Sequence, residues 1–228
     1  ELSLGIDSNS DGSIGLPNQN PYENYGDVSL SVDPITNGIF VNGNMPVFYQ
    51  GQRVTPDFYS AWGYTTASAE INQGERSIVF RKPNQLIKLI MAADWSSVRE
   101  FRTVSTDDTS FFDLEAVHGF DANNDGVAGL LYATVGETKL SQTSDGRLYA
   151  DTKPIKRDAI ALTLTTYASF NYETVRAGTD DNGNKFVALR RPNGVIWEWD
   201  VDVNWNFVED LGVHQPGSAR QAQLENYF

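Results

Sequence analysis

Two acidic segments place oxygen-bearing side chains at alternate positions. In the second segment Asp121, Asn123 and Asp125 stand two residues apart and are followed by a glycine. Alternate side chains can converge on one centre, and the glycine permits the sharp turn that convergence needs. Carboxylate, amide and carbonyl oxygens are the ligands that Ca²⁺ prefers. The spacing therefore predicts a calcium loop over residues 121–132, with the backbone carbonyl of Val127 as a further ligand.

The same pattern occurs near the start of the chain. Asp7, Asn9 and Asp11 repeat the spacing, and the backbone carbonyl of Ser13 takes the place of the further ligand. The sequence thus predicts another calcium loop over residues 7–18, and calcium is the cofactor that both loops imply.

Both loops begin as EF-hand and dockerin calcium loops do, and both depart from that pattern at position twelve. A bidentate acidic residue is expected there, but Asn18 and Tyr132 occupy the position. The site then binds weakly or recruits a distant carboxylate, for which Asp27 and Glu137, at equivalent repeat positions, are the candidates. The alternative is a turn without metal, because Asp, Asn and Gly favour turns on their own.

The acidic loops belong to an internal repeat. Residues 5–15 recur as residues 119–129, a shift of 114 positions. In both copies a glycine and a tryptophan are 69 residues apart, and that tryptophan and a glutamate are 20 residues apart. These anchors are Gly26, Trp95 and Glu115 in the first copy and Gly136, Trp205 and Glu225 in the second. Self-similarity of this length indicates tandem modules, here residues 1–114 and 115–228.

Both ends of the chain fall within the repeated unit. We therefore expect the sequence to be an excerpt of a longer array, in which neighbouring copies bury one another's faces. Neighbouring copies of the same repeat are thus the first partner that the sequence predicts.

Strand and helix patterns predict a mainly β fold with minor α. An apolar segment at 167–177, an Asn-Gly turn and a further segment at 185–190 predict a hairpin. Helical patterns occupy residues 106–118 and 218–228. We expect two tandem antiparallel β-meander modules, each followed by one helix that leads into a D-x-N-x-D-G loop.

The combination of a tryptophan-containing sheet, a helix and the acidic loop resembles the tryptophan-rich repeat domain of large secreted cyanobacterial proteins. The residues that carry the resemblance are Trp95, Trp205, Glu115, Glu225 and the two loops. The resemblance implies an extracellular or cell-surface array without known chemistry. The first copy departs from the family pattern, because Leu86-Ile87-Lys88-Leu89 replaces the Trp197-Glu198-Trp199 stretch of the second copy.

Composition and charge exclude several kinds of partner and chemistry and indicate a location. The net charge of −13 repels nucleic-acid phosphates, so nucleic acid is not an expected partner. No apolar run approaches the roughly 20 residues of a membrane-spanning helix, and we expect no membrane insertion. Cysteine is absent, which excludes disulfides and thiolate chemistry. Large secreted bacterial surface proteins are often acidic and cysteine-free, so the expected location is secreted or cell-surface, and the alternative is an acidic cytosolic protein.

The sequence shows no catalytic motif. Its two histidines, His118 and His214, occupy non-equivalent repeat positions, and neither lies in a recognisable motif. The expected function is a non-catalytic, calcium-binding structural repeat of an adhesin, surface layer or extracellular filament. The alternative is a carbohydrate-binding module with polysaccharide as partner, in which Trp197 and Trp199 on one face of a strand stack on sugars. Otherwise both tryptophans are core residues.

Overall fold

A computed structural model describes residues 20–23, 25–180 and 182–228. The chain divides into two compact units, Glu1–Phe111 and Phe112–Phe228. Strands dominate the described residues, which contain only two short α-helices, and the named strands pair antiparallel within each sheet. The predicted mainly β fold with minor α is confirmed.

Unit 1 contains a four-stranded sheet, a two-stranded hairpin and another four-stranded sheet. The first sheet comprises β1 (Asn20–Glu23), β2 (Leu30–Val32), β3 (Ile39–Val41) and β4 (Met45–Pro46). The hairpin comprises β5 (Phe48–Tyr49) and β6 (Gln52–Arg53). The second sheet comprises β7 (Thr65–Asn72), β8 (Glu75–Lys82), β9 (Gln85–Met91) and β10 (Val98–Ser105). Helix α1 (Thr109–His118) follows the second sheet.

Unit 2 contains the same three sheets in the same order. Its first sheet comprises β11 (Leu130–Val135), β12 (Thr138–Gln142), β13 (Leu148–Ala150) and β14 (Lys153–Pro154). The hairpin comprises β15 (Lys156–Arg157) and β16 (Ile160–Ala161). The second sheet comprises β17 (Thr174–Thr179), β18 (Lys185–Arg190), β19 (Ile196–Val201) and β20 (Phe207–His214). Helix α2 (Ala219–Leu224) and a 3₁₀ turn (Glu225–Tyr227) follow.

The two units also share their connecting turns. A 3₁₀ turn separates the hairpin from the second sheet in each: Ser60–Trp62 in unit 1 and Ala168–Phe170 in unit 2. A left-handed residue closes each turn, Gly63 with φ 81° and Asn171 with φ 61°. The order of strands and 3₁₀ turns thus agrees between the two units, whereas α1 crosses the boundary between them.

A closed ring of three backbone hydrogen bonds ties the first sheet of each unit to its hairpin. In unit 1 the N–H of Ile39 donates to Val54 (2.8 Å), that of Val54 to Val47 (2.9 Å) and that of Val47 to Ile39 (3.1 Å). The corresponding residues of unit 2 form the same ring; they are Leu148, Leu162 and Ile155. All of these side chains are buried, so the ring satisfies backbone groups that water does not reach.

A buried tryptophan with a positive φ angle occupies the turn before the last strand of each unit. Trp95 has φ 63° and is 2% exposed, and Trp205 has φ 64° and is 0% exposed. The tryptophan N–H donates to the carbonyl three positions earlier, that of Ala92 (3.0 Å) or Asp202 (3.0 Å). A left-handed backbone is costly for a bulky residue. Burial of the indole offsets that cost.

Both helices begin later than the sequence patterns predict. The carboxylate of Asp108 accepts a hydrogen bond from the N–H of Ser110 (2.9 Å), so the chain up to this residue forms a turn. In unit 2 the hydroxyl oxygen of Ser218 accepts a hydrogen bond from the N–H of Gln221 (3.3 Å) and caps α2. Neither helix, nor any other helix in the described residues, has the length and apolar character needed to cross a membrane.

The predicted hairpin in unit 2 is shorter than its sequence pattern. Residues 167–173 contain the 3₁₀ turn instead of a strand, and β17 starts only at Thr174. The pairing of β17 with β18 is antiparallel, as predicted. Gly183, with φ 85°, supplies the positive angle of the connecting turn.

The central strands β18 and β19 of the second sheet of unit 2 carry buried residues on both faces. Residues 186–189 of β18 are all buried, and Leu224 of α2 belongs to the same apolar core. Glu198, which alternates with the tryptophans of β19, is 1% exposed. Arg220 of α2 lies over Glu198 and pairs with it, which covers this polar position of the strand.

Candidate functional site

The acidic loop of unit 2 connects α1 to β11, and its side chains converge on one backbone N–H. Both Oδ1 of Asp121 (3.2 Å) and Oδ1 of Asn123 (3.0 Å) accept hydrogen bonds from the N–H of Asp125. The other carboxylate oxygen of Asp121 accepts from the N–H of Gly126 (2.7 Å). These contacts wrap the loop around the first side chain of the motif.

The third predicted ligand closes the cluster. Oδ1 of Asp125 accepts from the N–H of Val127 (3.0 Å), and Oδ2 accepts from Nδ2 of Asn123 (2.9 Å). Gly126 has φ 87°, which is the sharp turn expected at this position. Asp125 is exposed and Asp121 is half-exposed. The structure therefore brings the predicted ligands of this loop together at the surface of unit 2.

The far end of the loop is anchored in the interior. Val127 and Ala128 are buried, at 6% and 1% exposure. The hydroxyl of Ser141 on β12 donates to the carbonyl of Ala128. Gly129 has φ 96°, and a Cβ there would stand 3.0 Å from that of Ala116 on α1. The loop is thus held between the helix and the first sheet, with only its acidic part facing solvent.

A buried glutamate organises the loop from below. Glu115 on α1 is 0% exposed, and its Oε1 accepts hydrogen bonds from the N–H groups of Ala122 (2.7 Å) and Asn123 (3.2 Å). Its Oε2 accepts from the N–H of Gly129 (3.4 Å). Burial raises the pKa of Glu115 to about 7, although these N–H donors act in the opposite direction.

Sequence reasoning missed this role of Glu115. The signal was present, because Glu115 and Glu225 follow their tryptophans by the same number of residues. The partners differ between the two positions. The carboxylate of Glu225 accepts from Nε of Arg190 (3.1 Å) and Nε2 of Gln221 (2.6 Å), and it is half-buried.

Glu137 lies beside the loop. Position twelve carries no carboxylate, because Tyr132 occupies it. The ring of Tyr132 at that position lies 5.8 Å from the guanidinium of Arg176. Glu137 lines a cavity of about 210 Å³ together with Gly126 and Val127 of the loop. The role of Glu137 as an additional ligand stays a prediction.

A lysine that the sequence analysis overlooked shares this cavity. Nζ of Lys139 donates to the carbonyl of Gly126 (2.9 Å). Its positive charge opposes cation binding at the loop, because like charges a few ångströms apart repel. The position of Lys139 therefore argues against tight binding of a cation at this loop.

The ligands predicted in the first loop, Asp7, Asn9, Asp11 and Ser13, lie outside the described residues. Among the described residues no three acidic, histidine or cysteine side chains stand together as a metal-binding group. The donor set of residues 121–127 differs from such a group, because it includes an amide and a backbone carbonyl. It is made wholly of oxygen donors, which fits calcium better than a transition metal.

Asp27, the other candidate for an additional ligand, adjoins a buried carboxyl group in unit 1. Glu70 on β7 is 5% exposed, and its Oε1 has no hydrogen-bond partner among the described residues. A Cβ at Gly26 would lie 2.4 Å from this oxygen. Burial raises the pKa of Glu70 to about 8, with smaller contributions from the charges of Glu23 and Asp27.

This raised pKa makes unit 1 less stable as pH rises. The unfolded chain loses the proton of Glu70 near pH 4.5, whereas the folded chain keeps it to about pH 8. The contribution of protonated Glu70 to the free energy of unfolding is complete below pH 4.5. It is lost as the pH rises from 4.5 to about 8, at up to about 1.4 kcal/mol per pH unit. We expect Glu70→Gln to remove this component from urea unfolding profiles recorded with a calcium chelator. The exposed control Asp107→Asn should keep it, and parallel profiles for Glu70→Gln and wild type would contradict the assignment.

The tryptophans proposed to stack on sugars do not form an exposed pair. Trp199 is 0% exposed and belongs to the core, so its assignment to sugar stacking is wrong. Trp197 is half-buried, and its ring meets that of Trp199 at 90° with centroids 5.1 Å apart. Perpendicular rings offer no flat platform to a sugar. The hairpin covers both tryptophans. The guanidinium carbon of Arg157 on β15 lies 5.1 Å from the ring centroid of Trp197 and 5.0 Å from that of Trp199.

The chain matches no protein-family model, and a comparison with curated proteins gives no match either. The resemblance to tryptophan-rich repeat domains stays a prediction from the residues that carry it.

Proposed function

We propose that the chain is a non-catalytic structural repeat of a secreted or cell-surface protein, stabilised by calcium at its acidic loops. The observation that carries this proposal is the convergence of the side-chain oxygens of Asp121 and Asn123 on the backbone N–H of Asp125, whose own carboxylate accepts from Nδ2 of Asn123. A loop held in this form offers two carboxylates, an amide and the carbonyl of Val127 to one cation. Its first turn is already folded, so little chain entropy opposes binding.

The use of the buried carboxylates supports a structural role. The carboxylate of Glu115 accepts hydrogen bonds from N–H groups of the loop, and the carboxylate of Glu198 contacts Arg220 and His214. Each is occupied by groups of its own unit and is almost fully buried. The matching order of sheets in both units further supports a repeat, in which each module adds one more copy of the same scaffold. We propose neighbouring copies of the repeat as partners in an adhesin, surface layer or filament.

Calcium would act on the exposed end of the loop. Asp121 and Asp125 bring two negative charges close together, and their repulsion opposes the compact turn. A bound cation reverses the sign of that interaction. Extracellular modules of this kind bind calcium at about 10⁻⁴–10⁻³ M, and the missing twelfth ligand together with Lys139 argues against tighter binding.

We expect excess calcium to raise the melting temperature relative to chelator. At free calcium about 100-fold above the dissociation constant, one site adds roughly 2.7 kcal/mol. For a chain of this length each kcal/mol corresponds to a shift of about 2–4 °C. The measurement is thermal unfolding in EGTA and in about 10–100 mM calcium, which is about 100-fold above dissociation constants of 10⁻⁴–10⁻³ M, with elemental analysis of the calcium bound per chain.

Asp125→Ala tests whether the loop is the source of the effect. This change also removes the acceptor of the Val127 N–H, so the informative quantity is the difference between calcium and EGTA, not the melting temperature alone. We expect a smaller difference in Asp125→Ala and an unchanged one in Glu209→Ala, which removes an exposed charge from β20. Identical melts in both buffers, with no bound calcium, would leave the loop as a metal-free Asx turn.

A further inference from the structure

Unit 2 has an open pocket beside its second sheet that the calcium loop does not use. Its volume is about 620 Å³, within the range of roughly 300–1,000 Å³ that is usual for small-molecule sites. Phe170, Tyr172, Arg191 and Trp197 contribute to its walls. The pocket is therefore large enough for a ligand of one or two rings.

Unit 1 has a pocket of about 570 Å³ at the equivalent position. Its lining includes the repeat counterparts of the four residues above; in the same order these are Trp62, Tyr64, Lys82 and Ile87. The correspondence follows from the fold, because the first residue ends the 3₁₀ turn and the third precedes a Pro-Asn turn in both units. A pocket that recurs with the same chemistry in two divergent copies points to a shared use.

Each pocket contains a cation held against a tyrosine ring. Nζ of Lys82 lies 4.4 Å from the ring centroid of Tyr64, and the guanidinium carbon of Arg191 lies 4.4 Å from that of Tyr172. The contact keeps the positive group in place at the pocket wall. Nε of Arg191 is buried and has no hydrogen-bond partner among the described residues. A buried donor without an acceptor is costly, and an oxygen-bearing ligand would satisfy it.

Each pocket also has an exposed aromatic side chain at its rim. Trp62 is 66% exposed and Phe170 is 60% exposed. Tyr59 stacks on Trp62 with centroids 5.5 Å apart and planes at 24°, which supports the indole from one side. The corresponding Tyr167 of unit 2 contacts Phe170 with centroids 6.5 Å apart and planes tilted at 44°. A ring supported from behind and open in front is a platform for a flat apolar surface.

Polar groups around the aromatic walls argue against a purely apolar ligand. In unit 2, Arg157, Asp158 and Asp210 line the pocket, and Nε1 of Trp197 donates to Asp210 (2.8 Å). In unit 1 the hydroxyl of Tyr64 donates to Gln85. A purely apolar ligand would displace water from these polar groups and offer them no hydrogen bonds in exchange, which is unfavourable. A pyranose ring has an apolar C–H face and a rim of hydroxyls, and so matches both kinds of wall.

We propose that each unit binds one sugar residue of a polysaccharide in this pocket. The C–H face of the pyranose lies on Trp62 or Phe170, and the hydroxyl or carboxylate oxygens of the sugar meet Lys82 or Arg191. This proposal uses residues other than the buried Trp199 and does not depend on calcium. Neutral and uronic-acid polysaccharides share the pyranose chemistry, and the experiment separates them.

The test is a glycan array that carries neutral and uronic-acid oligosaccharides, followed by calorimetric titration of the best ligand. We expect the wild-type chain to bind pyranosides. Trp62→Ala combined with Phe170→Ala should raise the dissociation constant at least about tenfold, since each change removes one stacking contact. Both side chains are exposed, so the double variant should fold.

Matched controls and charge variants sharpen the outcome. Ile35→Ala and Val203→Ala, exposed at 60% and 74%, should bind as wild type does. Lys82→Gln with Arg191→Gln should weaken uronic ligands more than neutral ones. The proposal is overturned if no pyranoside on the array binds, or if the aromatic double variant binds like wild type. Binding of the apolar dye ANS at these residues without sugar binding would also overturn it.

Discussion

Trp205→Ala is expected to lower the free energy of unfolding of unit 2 by about 3–5 kcal/mol, the range for loss of a buried tryptophan. The indole is 0% exposed and belongs to the core of unit 2. Nζ of Lys185 lies 3.8 Å from its ring centroid, so the variant also loses a cation–π contact.

The backbone at this position adds to the expected effect. The φ of Trp205 is 64°, and alanine in the left-handed region gains nothing to offset that strain. The carbonyl of Trp205 accepts from the N–H of Lys156 (3.1 Å), which joins this turn to the hairpin of unit 2. Loss of the indole therefore weakens the anchor between the last turn of the sheet and the hairpin.

The measurement is urea unfolding followed by far-UV circular dichroism, because removal of a tryptophan alters fluorescence. Val203→Ala, two residues away and 74% exposed, is the matched control and should change stability by no more than about 0.5 kcal/mol. Equal midpoints for the two variants would show that the indole does not hold this turn.

Arg220→Ala should destabilise unit 2 by about 3 kcal/mol, the lower end of the range for breaking a buried ion pair. Glu198 has a side chain that is 1% exposed, and both nitrogens Nε (3.0 Å) and Nη2 of Arg220 bond to it. The Arg220 side chain is 35% exposed, which is why the lower end applies. The hydrogen bond to Glu198 raises the pKa of Arg220, so the guanidinium stays charged. Its removal leaves the Glu198 carboxylate with His214, at 2.9 Å, as its ion-pair partner among the described residues.

A double variant separates the lost pair from the buried charge that is left behind. Glu198→Leu with Arg220→Met replaces both partners by apolar side chains, which is often close to neutral for stability. We expect it to recover most of the loss seen in Arg220→Ala, as measured by urea unfolding. If the double variant is no more stable than Arg220→Ala, then lost packing of the Arg220 stem, and not the uncompensated carboxylate, causes the effect.

Local chemistry allowed the turns of the chain to be predicted. An Asn-Gly turn was predicted between residues 177 and 185, and the structure has Gly183 at φ 85° between β17 and β18. The acidic loop was predicted from alternate oxygens before a glycine, and the contacts of Asp121 and Asp125 have that form. Such features depend on a few neighbouring residues, whose preferences tertiary packing rarely overrules.

The roles of Glu115 and Glu198 were not predicted from the sequence. A glutamate on a helix or in an alternating strand is ordinarily expected to face water. Whether it is buried depends on what packs over it: the loop N–H groups in one case and Arg220 in the other. These partners are 7 and 22 residues away along the chain, and no local pattern reports them.

The sequence by itself determined the repeat, the β-rich class and the form of the acidic loop in unit 2. Each of these follows from spacing, turn chemistry or self-similarity, which are properties of short segments. Only the tertiary structure decided that Trp199 is core while Trp62 is exposed, and that Lys82 and Arg191 each meet a tyrosine. Exposure and long-range contact depend on how sheets, hairpin and turns pack in three dimensions, and side chains of one type are buried or exposed according to that packing.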